Sequence, residues 1–173
     1  MMAVGLASFI REVPDFPERG VLFRDITPLL GDAGALRDAH DSLAEPWHAL
    51  DVDVVVGIEA RGFLLGPAVA ERLGAGFAPI RKAGKLPRQT VSYSYDLEYG
   101  SDTIEMHRDA IAGGQRILVL DDVLATGGTA AAALALLGQL DATIIGLAFL
   151  LELEALKGRR RLAGHRVEAT VVC

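Results

Sequence analysis

Hydrophobic positions fall in short runs separated by longer amphipathic stretches. Runs at 52–58, 77–81, 117–121, 143–151 and 167–172 have strand length, while 4–12, 33–48, 63–73, 129–140 and 153–162 carry helix-like spacing. Strand and helix alternate, which predicts an α/β domain with a central parallel sheet flanked by helices. The unbroken apolar run at 117–120 suits a strand buried on both faces at the sheet centre. One region breaks the rhythm. Val91, Tyr93, Tyr95 and Leu97 alternate with polar residues, and after Gly100 the alternation resumes at Ile104 and Met106. A half-exposed antiparallel hairpin is predicted there, within an excursion over about 86–107 of the kind that forms lids.

Composition narrows the class. A length of 173 residues, 51% of them hydrophobic, suits one domain spanning 1–173. The net charge of −6 argues against a nucleic-acid partner or an anionic membrane surface, both of which select a basic face. The apolar stretch at 144–151 is too short to span a bilayer, and no charged start followed by an apolar core opens the chain, so a cytoplasmic location is expected. The single cysteine, Cys173, excludes an internal disulfide and a cysteine-based metal site.

The most informative segment is 117–129, where the strand run ends in Asp121 and Asp122 and passes through Val123, Leu124, Ala125, Thr126, Gly127 and Gly128 to Thr129. A small glycine-rich turn between a strand's carboxyl end and a helix offers backbone N–H groups, threonine hydroxyls and the helix N-terminus to one phosphate. Two carboxylates just upstream would repel that phosphate unless they face ribose hydroxyls or a Mg²⁺ ion. The implied ligand is a phosphorylated ribose. On the residues alone, solvated strand-end acids and a plain loop are the competing reading.

Four further segments carry chemistry. Residues 14–30 form a proline-stiffened stretch containing Leu22, Phe23 and Arg24. Residues 57–63 run through Glu59 and Ala60 to Arg61 at a helix start, where main-chain and guanidinium donors can converge on an anion. Residues 81–87 form a basic turn with Arg81, Lys82 and Lys85, two of the chain's three lysines among fourteen arginines. The hairpin holds Glu98, Tyr99, Asp102 and Glu105, which without context read as a solvated edge.

These segments, in this order from Pro14 to about Leu156, resemble the adenine phosphoribosyltransferases among the type I phosphoribosyltransferases. The resemblance implies a type I phosphoribosyltransferase fold with an N-terminal hood over about 14–30 and a flexible β-hairpin lid. It implies conversion of adenine and 5-phosphoribosyl 1-pyrophosphate (PRPP) to AMP and pyrophosphate, with Mg²⁺ carried by PRPP and water near Asp121 and Asp122. Leu22, Phe23 and Arg24 would then meet the base. Glu59, Ala60, Arg61, Arg81 and Lys85 would surround pyrophosphate, with Lys82 reaching a partner's site in a homodimer. Ala125, Thr126, Gly127, Gly128 and Thr129 would hold the 5-phosphate. Glu98 would handle the purine proton, Tyr99 would close over the ribosyl centre, and Asp121 and Asp122 would act on the ribose. The family further implies a cis peptide between Glu59 and Ala60. A 6-oxopurine substrate stays open, since a backbone reading of the base is not legible in side chains. A non-catalytic PRPP-sensing regulator fits less well, because such proteins carry a DNA-binding domain or a basic face.

Overall fold

The computed structural model describes residues 3–96 and 101–173. The chain enters through a short helix, α1 (Ala3–Leu6), a 3-10 turn at Ala7–Phe9, and a small antiparallel pair, β1 (Arg11–Pro14) with β2 (Leu22–Asp25). Two helices follow, α2 (Thr27–Gly31) and α3 (Ala33–Ala44). The side chain of Asp32 caps α3 by accepting from Gly34 N at 2.9 Å and Ala35 N at 2.8 Å. Then come β3 (Val54–Ile58), α4 (Gly62–Leu73), β4 (Gly76–Lys82), the hairpin strands β5 (Thr90–Asp96) and β6 (Ser101–His107), β7 (Arg116–Leu124), α5 (Gly128–Leu137), β8 (Thr143–Glu152) and β9 (Val167–Val172).

The main sheet has seven strands in the order β5-β6-β4-β3-β7-β8-β9. The run from β4 to β9 is parallel, as the alternation of strand and helix predicts, and β6 joins β4 antiparallel through Arg81↔Glu105 and Lys82↔Ile104. Alternating strand positions feed two cores. Val54, Val56, Ile117 and Val119 pack beneath Ala133, Leu136 and Leu137 of α5. Val55, Leu118 and Leu120 pack beneath Ala39 and Leu43 of α3 and Leu65 and Val69 of α4 on the opposite side. The sheet is thus the middle of three layers. Parallel register aligns β4, β3 and β7 so that the turns after all three open at one edge.

Glycines set how closely these layers approach. A Cβ on Gly66 of α4 would lie 2.5 Å from the Phe77 ring, and one on Gly57 of β3 would lie 2.7 Å from it. Their bare backbones therefore make room for Phe77 between α4 and the sheet. A Cβ on Gly62 would meet Leu120 O at 3.0 Å and Asp121 Oδ1 at 3.3 Å, so the start of α4 leans directly on the acid-bearing strand.

Three sequence expectations require correction. The predicted helix at 4–12 stops early: α1 and the 3-10 turn end at Phe9, and the following residues form β1, whose cross-strand partners lie beyond the intervening turn, in Leu22–Asp25. The predicted helix at 153–162 is two 3-10 segments, Glu154–Leu156 and Gly158–Leu162, broken by Lys157 at φ 55°. The predicted strand 117–121 extends to Leu124, so the two aspartates sit within β7 rather than at its end.

The second 3-10 segment is placed by a backbone contact. A Cβ on Gly158 would fall 2.3 Å from Ala125 O and 3.1 Å from Gly127 N, so only glycine lets this segment seat under the turn after β7. Gly158→Ala is expected to lower stability in urea unfolding by about 1–3 kcal/mol, the usual cost of overpacking against atoms that cannot rotate away. Gly138→Ala, where an added Cβ meets nothing within 4 Å, is expected to cost nothing and to gain up to about 1 kcal/mol.

Candidate active site

The turns after β3, β4 and β7 share the sheet's carboxyl edge with a cavity of about 430 Å³, whose lining joins the hood, β3, the hairpin and β7. Leu22, Phe23 and Arg24 of the hood line one side. Phe23 lies edge-on to Phe16, with ring centroids 5.2 Å apart, and the Arg61 guanidinium stands 5.4 Å from the Phe23 centroid. Arg24 is paired with Glu12 across the β1–β2 strands, which fixes the hood strand from behind.

Asp121 and Asp122 line the same cavity from β7. Asp122 is only 4% exposed, and its Oδ2 lies 2.7 Å from Arg61 Nε. That contact is one of charge, because the same oxygen receives no aligned hydrogen bond. Asp121 Oδ1 accepts from the Asp122 N–H at 2.9 Å. Burial, reinforced by the charge on Asp122, pushes the Asp121 carboxyl well above its ordinary value. Burial also raises Asp122, with the Arg61 charge opposing it. Two crowded carboxyls are costly to ionise in an empty site and would be relieved by hydroxyls or a divalent cation.

Cations at the end of β4, Arg81 and Lys82, and in the turn after it, Lys85, meet an acid from the turn after β3. Arg81 and Lys82 thus belong to β4 itself rather than to the basic turn predicted over 81–87. Glu59 accepts from Lys82 N at 2.9 Å, is paired with Lys85, and lies 3.4 Å from Arg81 Nε. Burial works to raise the Glu59 carboxyl, yet Lys85, the Lys82 amide and Arg81 together outweigh it and hold it below the ordinary value. The Glu59–Ala60 peptide is cis, as the resemblance implies. Lys82, expected to reach a partner's site, is paired within its own chain to Asp102 of the hairpin.

A second, smaller pocket of about 70 Å³ adjoins the first and is lined by Ala125, Thr126, Gly127, Gly128 and Thr129 together with Asp121. Gly127 caps α5 at φ 79°, a left-handed conformation that turns the chain sharply into the helix. The helix N-terminus and its free N–H groups then face this pocket, as an anion requires.

The structure therefore gathers the expected residues from the hood, the turns after β3 and β4, and the turn after β7 at one edge. Glu98 and Tyr99 lie outside the described residues. Sequence reasoning assigned no role to Tyr95 or Asp102, whose pairing needs the hairpin register. They are cross-strand partners, and the Tyr95 hydroxyl donates to Asp102 Oδ2 at 3.2 Å. Burial pushes the Tyr95 phenol above its ordinary value, and Tyr95 faces the cavity alongside Lys82.

The raised aspartates link stability to pH. Above the unfolded value of 3.8, the unfolded chain releases these protons before the folded chain does, so stability falls as pH rises through the folded value. Asp121→Asn removes that cost and is expected to raise the melting temperature of the ligand-free protein at pH 7.5 while changing it little near pH 4. Asp122→Asn should gain less, because it leaves Arg61 without its partner. Melting curves at both pH values check this, and an Asp121→Asn gain equal at the two would refute the burial argument.

Residues 34–167 match the model of the phosphoribosyl transferase domain family. The chain is 55% identical to the adenine phosphoribosyltransferase of Thermobifida fusca over 93% of this chain and 92% of that protein. It is likewise 55% identical to the Nitrobacter hamburgensis enzyme of the same name, over 96% and 92%. The crystal structure of the Rhodothermus marinus adenine phosphoribosyltransferase superposes with a TM-score of 0.94 at 51% identity, covering 99% of this chain and 98% of that one. The Saccharomyces cerevisiae enzyme, solved with an imino-altritol bisphosphate and adenine, superposes at 0.92 and 40% identity, with 98% of each chain covered. With the hood, the acid-bearing strand and the phosphate-type turn in the arrangement described, this chain belongs to the adenine phosphoribosyltransferase family of phosphoribosyltransferases.

Proposed function

We propose that the chain makes AMP and pyrophosphate from adenine and PRPP in this cavity, with a division of labour that follows from the placement of its residues. The observation that carries the reading is the meeting of an anion-type turn, a buried acid pair and a cluster of cations beneath an aromatic hood at one sheet edge. The 5-phosphate of PRPP sits at Ala125–Thr129, against the N-terminus of α5. Asp121 and Asp122 face the ribose hydroxyls, where carboxylates stabilise the positive charge that develops on the ring as pyrophosphate leaves. Arg61, Arg81 and Lys85 offset the leaving group's charge, with Lys82 directed to the pyrophosphate of a partner subunit's site. Phe23 packs on the purine, Leu22 reads its edge by backbone, and Arg24 lies beside it.

A Mg²⁺ ion fits this donor set in a limited way. Asp121 and Asp122 supply hard oxygens held close together, but among the described residues no group of three or more His, Cys, Asp or Glu converges to cage a metal. The ion would be held largely by PRPP oxygens and water beside these two acids, where it would neutralise phosphate charge.

Positioning both partners in line supplies on the order of 7–11 kcal/mol of the barrier. The incoming purine must also lose a proton, and Glu98 on the lid is the residue proposed to handle it at N7, with Tyr99 closing the ribosyl side. Desolvation on closure raises a carboxyl's pKa, which makes the Glu98 carboxylate a stronger acceptor for the purine proton and leaves it protonated once the base has reacted. A homodimer is supported by the resemblance. A cytoplasmic location is proposed from the shortness of the sequence's apolar runs; among the described residues no helix is long and apolar enough to cross a membrane.

The purified protein with PRPP, Mg²⁺ and each purine in turn should yield nucleotide from adenine and little from hypoxanthine or guanine. Comparable turnover of a 6-oxopurine would overturn the base assignment. EDTA should stop the reaction, and Asp122→Asn should lower turnover well beyond its effect on folding.

Glu98→Leu should lower kcat by about 10² or more if the residue performs acid–base catalysis. Glu105→Gln should matter far less, because Glu105 is occupied in accepting the Gly84 N–H at 3.0 Å at the hairpin base, a bond that glutamine can also accept. Near-normal kcat in Glu98→Leu together with loss in Glu105→Gln would mean that the wrong acid carries the proton.

A further inference from the structure

Each cation proposed for pyrophosphate is already paired with an acid of this chain: Arg61 with Asp122, Lys82 with Asp102, and Arg81 and Lys85 both with Glu59. Among the described residues, Glu59 is the acid that takes two of them. It also accepts the Lys82 amide at 2.9 Å, which ties the turn after β3 to the end of β4. Its side chain is 12% exposed, against 35% for Arg81 and 45% for Lys85, so the acid sits behind cations that remain reachable from solvent. A pyrophosphate oxygen approaching Arg81 and Lys85 meets donors that Glu59 already holds, and the carboxylate itself repels the incoming anion.

We propose that Glu59 is a built-in competitor for pyrophosphate: it holds Arg81 and Lys85 when the subsite is empty, yields them when PRPP binds, and reclaims them as pyrophosphate departs. This makes Glu59 a positioning residue rather than a substrate ligand. The inference rests on the proposed assignment of this turn to pyrophosphate. Its physical basis is an exchange of ion-pair partners. Two cations without a counter-charge would bind a polyanion so tightly that the product would be slow to leave, whereas an internal carboxylate supplies a replacement partner at that moment. A ligand whose competent state is one-tenth populated binds about tenfold more weakly than it would to the open state alone. The depressed pKa of Glu59 keeps the competitor charged at neutral pH.

The test is calorimetric titration of the full chain with Mg²⁺-pyrophosphate, combined with steady-state kinetics. Glu59→Gln keeps the length and an acceptor for the Lys82 amide but removes the charge. It is expected to tighten pyrophosphate by about tenfold, equivalent to about 1.4 kcal/mol, to make pyrophosphate a stronger product inhibitor, and to lower KM for PRPP without raising kcat. A residue needed only to hold the turn together would produce the opposite shift, a weaker Kd and a higher KM. Weaker or unchanged pyrophosphate binding in a folded Glu59→Gln protein would overturn the competitor role while leaving the subsite in place. Failure of the unaltered protein to bind pyrophosphate would overturn the subsite assignment and this inference with it. If Glu59→Gln does not fold, Glu59→Asp retains the charge but is one methylene too short to hold both cations. It should tighten pyrophosphate in the same direction, and weaker or unchanged binding there would equally refute the competitor.

Discussion

Arg61 ties together three parts of the molecule that are far apart in sequence. Its guanidinium reaches Asp122 in β7 at 2.7 Å, stands 5.4 Å from the Phe23 ring of the hood, and projects from the residue that precedes α4. The buried acid would otherwise be an unpaired charge in a poorly solvated place, which proteins rarely tolerate. A single side chain thus offsets the charge of the acid pair and presents a flat cation to the aromatic face above it. This bridge exists only because β3 and β7 are adjacent and in register, with Gly57 opposite Leu120, and because Gly62 lets α4 begin in contact with Asp121.

Most of the sheet and the phosphate-type turn were legible in the sequence because their signals are local. The apolar runs of β3, β7 and β8 are buried at nearly every position, and a turn with Thr126, Gly127 and Gly128 before an alanine-rich helix leaves few alternatives. The hood strands were not legible. Arg11–Pro14 has the composition of a helix end, and its strand character comes from Leu22–Asp25, so a window on either segment misses it. The segment after β8 failed for a related reason. Leu153 and Leu156 have helical spacing, but backbone packing of Gly158 on Ala125 and the left-handed Lys157 impose short 3-10 turns instead.

The site shows the same division between local and long-range information. That 81–85 is a basic segment was visible from the clustering of Lys82 and Lys85. That Glu59 faces Arg81 and Lys85 depends on parallel β3 and β4 ending side by side, as Ile58 opposite Ile80 requires. The Tyr95–Asp102 pair likewise appears only once the register of β5 and β6 is known. Residue types in a motif announce the charge that a site offers, whereas the partners of those charges are set by topology.

Those partners bear on how an acidic protein takes a polyanionic substrate. With a net charge of −6, the surface as a whole does not steer PRPP inward, and at physiological ionic strength its field decays over about 8 Å. Attraction must then arise at close range, from cations that the ligand reaches only on entering the cavity. Because these cations are already paired internally, binding exchanges one ion pair for another and gains less than the bare charges would imply. On the proposed assignment, such a site sacrifices affinity for reversibility, which suits an enzyme that must release pyrophosphate from the subsite that stabilised its departure. On the proposed assignment of the site, the substrate's hold depends on contacts that the internal acids cannot imitate: the N–H groups at the start of α5, the hydroxyls of Thr126 and Thr129, and the aromatic hood.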